Sequence, residues 1–186
     1  MSDTIKTETK KSNQSASRQI QEILNSVKLP EYSEIPDVGL YLEQVTRFIN
    51  GYLADFPEMQ VTPSMISNYV KLKIVSKPNR KSYSREQIAR FLFIALAKTV
   101  LSMDNIRKVF AIQEESYDAE EAYEFFRKKL VQALTTFGKS TSEMSENYRE
   151  EQHMMDCTAT AIAHKMYLNL YFSCELSDAA SEKPEK

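Results

Sequence analysis

Three glycines, Gly39, Gly51 and Gly138, are all that this chain of 186 residues contains, and their scarcity constrains the fold more than any other feature. The two-residue turns of β-hairpins demand positive φ, which glycine adopts at no steric cost, so the sequence offers little for a hairpin-rich sheet. Glycine-rich phosphate loops are excluded on the same ground. Helices need no glycine, and a mainly α fold is expected. Hydrophobic residues make up 42% and charged residues 27%, enough at this length to build a packed core. Two cysteines, Cys157 and Cys174, fit thiols in a reducing compartment better than a disulfide framework. The opening residues, MSDTIKTETKK, have no apolar run of the signal-peptide kind, so a cytoplasmic location is expected. The longest apolar stretch, Met154 to Phe172, is interrupted by Asp156, His164 and Lys165 and reads as a buried helix with no membrane partner.

The net charge of -2 conceals an asymmetry. Residues 61–110 hold ten basic and two acidic residues, a net +8, against -3 for 1–60 and -7 for 111–186. A basic module embedded in an acidic protein is the footprint of a polyanion-binding domain beside a separate interaction or regulatory region.

Polar composition predicts a disordered arm over 1–16 and a matching tail over 177–186. Over 17–34, Ser17 caps a short amphipathic helix (Ile20, Ile23, Leu24, Val27) that stops before Pro30 and is followed by a linker. A helix from about Asp37 to Asp55 is expected from the spacing of Val38, Tyr41, Leu42, Val45, Phe48, Ile49, Tyr52 and Leu53, with Glu43 and Arg47 as an outer i, i+4 pair. Thr62-Pro63 is an N-cap with proline at the first helical position, and Met65, Ile66, Tyr69 and Val70 form one apolar face. Its other face carries Ser64, Ser67, Asn68 and Lys71. Residues 74–83, IVSKPNRKSY, have a proline, no helical period and a basic tip, which predicts a tight two-stranded turn. Ser84 to Gln87 is a capping box opening an apolar helix to Leu101, and Ser102 caps a further helix through Met103, Ile106, Val109 and Phe110.

That order of elements, with TPSMISNY at 62–69, RKSYSREQI at 80–88 and LSMDNI at 101–106, resembles the winged-helix DNA-binding domain of MerR-type regulators over about a third of the chain. With IPDVGLYLEQV at 35–45 added, the sequence looks like a family of small bacterial proteins known as a domain of unknown function with a MerR-like fold. The resemblance implies a winged helix-turn-helix domain over 35–110, with recognition helix 62–72 and a small β-hairpin wing at 74–83. Within it, Tyr69 matches the buried tyrosine of the recognition helix, Lys81 and Tyr83 the arginine and tyrosine of the wing, and Ser84 the cap that follows. Two departures stand out. Ser64 and Ser67 occupy positions that are usually arginine, and Asn68 one that is usually tyrosine; the wing is also shorter than is common.

The function expected is therefore a sequence-specific transcriptional regulator that binds double-stranded DNA as a homodimer on an inverted repeat. Asn68 would pair with adenine and Ser64 or Ser67 with either base, while Lys71, Lys73, Lys77, Arg80, Lys81 and Arg85 would meet phosphates. The alternative is a non-catalytic protein-interaction adaptor on the same scaffold, favoured by the serines at the arginine positions and by the acidic remainder.

Residues 111–176 are expected to form a helical dimerisation or regulatory region. A helix over 118–137 has a broad apolar face (Ala119, Ala122, Tyr123, Phe126, Leu130, Val131, Leu134, Phe137), and after Gly138 and the polar loop 139–147 a last helix runs from about Tyr148 to Cys174. That helix is apolar nearly all round after Met154 and must be covered, an interface between subunits being one solution. The aromatics of this half, Tyr117, Tyr123, Phe125, Phe126, Tyr148, Tyr167, Tyr171 and Phe172, favour core packing over an effector pocket, and no effector is identified. His153 and Cys157 have metal-ligand spacing, but two ligands are too few for a closed site, and neither metal nor cofactor is expected. Phe137 to Thr141 ends like a phosphate loop yet has Ala133 where its first glycine belongs. With no nucleophile elbow and no H-E-x-x-H motif, catalysis is not expected.

Overall fold

The computed structural model describes residues 19, 20, 22–142 and 150–181, and for 137–142, 150–153 and 174–181 the backbone alone. The arm 1–16, the Ser17 cap, Tyr148 with the loop 143–149, and the tail beyond Ser181 lie outside the described residues. A 3₁₀ turn at Tyr32–Glu34 leads to β1 (Leu40–Tyr41), α1 (Leu42–Tyr52), a second 3₁₀ turn (Pro57–Met59) and α2 (Pro63–Lys71). Then follow β2 (Ser82–Tyr83), α3 (Arg85–Ala97), α4 (Met103–Glu114), α5 (Ala119–Ser142) and α6 (Glu150–Ser181). The protein is thus mainly helical with one small antiparallel sheet, and it divides into two units, Met1–Ser142 and Glu143–Lys186.

The helix starts that depend on local chemistry form as the sequence predicts. The Thr62 side chain accepts from the Met65 amide, Ser102 accepts from Asn105, and Ser84 and Gln87 close a reciprocal capping box. One start and several ends differ. The helix expected from Asp37 begins only at Leu42, because Gly39 sits at φ +68 and turns the chain into β1, leaving Val38 fully outside the core. β1 pairs with β2 in the register Leu40↔Tyr83 and Tyr41↔Ser82. A Cβ on Gly39 would collide with the Ser82 side chain, so the pairing itself requires glycine there. Glu43 and Arg47 on α1 make no ion pair with each other. α3 ends at Ala97, before Leu101; α5 continues through Gly138 to Ser142, an interior glycine costing only about 1 kcal/mol. α6 extends to Ser181, so residues 177–181 are helical and not part of a tail.

The hairpin expected over 74–83 does not form. Ile74 and Val75 are buried and take no strand, and β2 finds its partner in β1 instead. What remains is the turn: Asn79 and Ser82 exchange both backbone hydrogen bonds, at 3.0 and 2.8 Å, around Arg80 and Lys81.

The core of the first unit is built around α3. Ile88, Phe91, Leu92, Ile94 and Ala95 are buried on it and join one core with Val45 and Ile49 from α1, Leu53 just after it, and Ile66 and Tyr69 from α2. Phe91 packs edge-on against Tyr83 at 5.5 Å and tilted against Tyr69 at 6.4 Å, so the two tyrosines implied by the family resemblance are both core residues. The linker after Pro30 is docked on α5: the Tyr123 hydroxyl donates to the Pro30 carbonyl, and the Tyr32 amide donates to Glu124, each at 2.8 Å. Every buried side-chain nitrogen and oxygen among the described residues has a partner.

In the second unit, α6 leaves Met154, Met155, Ile162, Met166, Tyr167 and Leu170 exposed, while Phe172 is buried. No described helix is long and apolar enough to cross a membrane.

Candidate nucleic-acid interface

The orientation of α2 is set from both ends. Asn50 on α1 bonds reciprocally to the backbone of Val61, donating to its carbonyl at 2.8 Å and accepting from its amide at 2.9 Å. The Lys98 ammonium donates to the Gln60 carbonyl at 2.6 Å. Burial lowers the Lys98 pKa, with Glu58 opposing the shift. At the far end Arg107 of α4 donates to the Leu72 carbonyl at 3.1 Å. Ile66 and Tyr69 face the core, and Ser64, Asn68 and Lys71 are exposed on the outward side with Ser67 half-buried between them. The outward face is thus as short-chained as the sequence predicts.

α2 terminates in a Schellman motif. The Ile74 amide donates to the Tyr69 carbonyl and the Lys73 amide to the Val70 carbonyl, both at 3.0 Å, with Lys73 at φ 56 in the position that glycine usually fills. The turn at 79–82 has the same peculiarity. Its central residues, Arg80 at φ 47 and Lys81 at φ 69, make a two-residue turn of the kind expected to require glycine. Among the described residues, Lys73, Arg80 and Lys81 are the non-glycine residues with positive φ. Left-handed backbone costs a residue with a Cβ roughly 1 kcal/mol or more. The chain therefore bears about 3 kcal/mol of local strain at three cations.

The basic module separates into two populations. Arg90 is paired with Glu86 and Glu114, Arg107 with Asp104, and Lys98 with the Gln60 carbonyl. Arg85 is half-buried and turned inward: its Nε donates to the Ile35 carbonyl at 2.8 Å and its guanidinium lies 5.7 Å from the Tyr32 ring centroid. By contrast Lys71, Lys73, Lys77, Arg80 and Lys81 are exposed and form no ion pair among the described residues. No acidic residue occurs between Met59 and Arg85, so sequence-near carboxylates are not there to screen them. The loop that holds three of these cations is fixed by Gln87, whose buried amide reaches the backbone carbonyls of Ser76 and Lys77. Sequence reasoning found the exposed five and the Gln87 capping box but missed the roles of Asn50 and Arg107 and the reach of Gln87 to the loop. Their partners lie across turns that no periodicity reports.

On α6, His164 is exposed, Cys157 is half-buried, and the side chains of His153 and Cys174 lie outside the described residues. No group of three or more metal-ligating side chains occurs among the described residues.

Fold and surface together define a small helical domain with a two-stranded clasp and one segment of unpaired cations. The chain belongs to the family described as Domain of unknown function (DUF1836), which matches residues 30–129. The matched stretch spans α1 to α4, the clasp and the whole basic segment. No solved structure matches the chain.

Proposed function

We propose that the chain is a transcriptional regulator that binds double-stranded DNA as a homodimer on an inverted repeat, with α2 as recognition helix and the 79–82 turn as a short MerR-like wing. The observation that supports this most is the identity of the residues at the left-handed positions. Lys73, Arg80 and Lys81 hold strained backbone where glycine would relieve it, and all three are exposed and unpaired. Strain retained at cations points to a polyanion that needs those cations in place. The small polar face of Ser64, Ser67 and Asn68 supplies groups that hydrogen-bond base edges in a major groove, and Lys71, Lys73, Lys77, Arg80 and Lys81 supply phosphate contacts. Arg85 drops out of that set, being committed to Ile35 and Tyr32. Pairing of two chains is favoured by the exposed apolar residues of α6, and by the modest contact that one nine-residue helix makes alone.

The test is selection of bound duplexes from a random-sequence pool, followed by titration of the winner against salt and scrambled competitor. An enriched inverted repeat with a log-log salt slope steeper than about -4 supports the proposal. Arg80→Ala with Lys81→Ala should flatten that slope by about 2 per protomer and weaken all sequences alike, whereas Asn68→Ala should relax sequence preference. A folded protein that enriches nothing overturns the reading in favour of a protein-interaction adaptor. Ser64 and Ser67, uncharged where MerR recognition helices have arginine, are the residues that favour that alternative.

A further inference from the structure

A cavity of about 360 Å³ opens to solvent where the first turns of α3, the carboxyl end of α4 and the amino end of α5 meet. It is distinct from the basic segment, and its chemistry has the opposite sign. Three carboxylates, Glu86, Glu114 and Asp118, line it with a single guanidinium, that of Arg90. Arg90 is paired at 3.0 Å with Glu86 and at 2.7 Å with Glu114, and it lies 5.0 Å from the centroid of the Phe110 ring. The wall therefore already shows how it receives a cation: carboxylates at the sides and an aromatic face beneath.

Asp118 is exposed and makes no ion pair among the described residues; one of its oxygens accepts from the Glu121 amide at 2.8 Å and caps α5. Tyr117 stands at the mouth, 55% exposed. The Tyr123 ring closes the inner wall, its hydroxyl turned away to the Pro30 carbonyl. The carboxyl end of α4 adds the negative pole of a helix, and the amino end of α5 is offset by Asp118, Glu120 and Glu121. The field is felt nearby: burial raises the Tyr32 phenol, Glu86, Glu120 and Asp118 raise it further, and Arg85 opposes them. An anion would be repelled here, and a neutral apolar guest would strip water from Glu114 and Asp118 without replacing it. The Phe110 and Tyr117 rings beside these carboxylates give an apolar body somewhere to pack while its charge meets Glu114 and Asp118, which suits an organic cation.

We propose that this cavity is a binding site for a small organic cation, an ammonium on a flat apolar body, seated between Tyr117 and the carboxylates of Glu114 and Asp118. The site is complete within the first unit, and the proposal does not depend on DNA binding. Calorimetric titration of the full chain near neutral pH with phenylbutylamine, phenylbutanol and phenylbutyrate tests it. The ammonium should saturate one site, the alcohol should bind about tenfold more weakly, and the carboxylate should not bind. Glu114→Gln and Asp118→Asn leave Arg90 paired with Glu86 and α5 capped. Each should weaken the ammonium at least about threefold and leave the alcohol unchanged, whereas Tyr117→Ala should weaken both. Thermal melts of the variants report that the fold is kept. Absence of ammonium binding, equal affinity for ammonium and alcohol, or indifference to both carboxylate variants would overturn the proposal.

Discussion

The side-chain amide of Gln87, buried in the first turn of α3, donates to the carbonyl of Ser76 at 2.8 Å. The same nitrogen reaches the Ser76 hydroxyl at 3.0 Å and the Lys77 carbonyl at 3.2 Å, while the side-chain oxygen accepts from the Ser84 amide at 2.9 Å. One residue thus ties the start of the helix to the loop that presents the cations. Gln87→Ala removes this network and the reciprocal half of the capping box, which should destabilise the fold by about 1–2 kcal/mol in denaturant melts. Gln87→Glu keeps the cap but not the donor, and should recover only part of the loss.

Glycine at Arg80 and Lys81 separates stability from binding. Relief of left-handed strain is offset in part by the greater freedom of the unfolded chain, so the double glycine variant should be unchanged to about 1 kcal/mol more stable. Its affinity for the selected DNA should fall with the lost phosphate contacts. A variant that loses stability would show that the turn is not strained and would remove the main support for the interface.

Gly39 has no such freedom. Its φ of +68 strains any residue with a Cβ, and that Cβ would also displace the Ser82 hydroxyl. Gly39→Ala should cost about 2 kcal/mol or more in thermal or chemical unfolding. Adding Ser82→Gly should recover the steric part and not the backbone part.

Acid stability should depend on Glu124. Burial alone would raise its carboxyl pKa, but hydrogen bonds from Arg127 and from the Tyr32 amide outweigh it and hold the group below its usual value of 4.5. A pKa depressed in the folded state contributes stability that is full above the unfolded value and is lost as pH falls through the folded one. Wild-type stability should therefore drop as the pH is lowered below 4.5, and Glu124→Gln should be less stable at neutral pH and flatter across that window. Denaturant melts across that range, with identical slopes for both proteins, would refute the assignment.

What could be read from the sequence was what is local. Caps at Thr62, Ser84 and Ser102 involve partners three residues away, and apolar spacing located the buried faces of α1 to α4. The segment 37–41 was misread because helical spacing of Val38 and Tyr41 carries no information about a strand partner beyond α2. The turn within 74–83 was legible from its proline and basic tip, and it forms at 79–82 without the glycine that such turns favour. In the candidate interface the exposed cations were legible from composition, but Arg85 was not, since its partner Ile35 lies 50 residues earlier. The cavity shares only Tyr117 and Tyr123 with the aromatics singled out in the C-terminal half, and its carboxylates come from α3, α4 and the residue that caps α5.

The clasp of β1 and β2 joins segments that flank α1 and α2, and it has only two residue pairs with which to do so. Closing that stretch of chain costs entropy that two pairs do not offset, so the clasp is expected to follow the docking of α1 and α2 on α3 during folding. The turn at Arg80 and Lys81 continues directly from β2, which makes it a late-folding element. Nascent chains would then expose a floppy basic segment before a shaped one. Under the proposed function, discrimination between nucleic-acid sequences would be the last property to be acquired, after compactness and after charge.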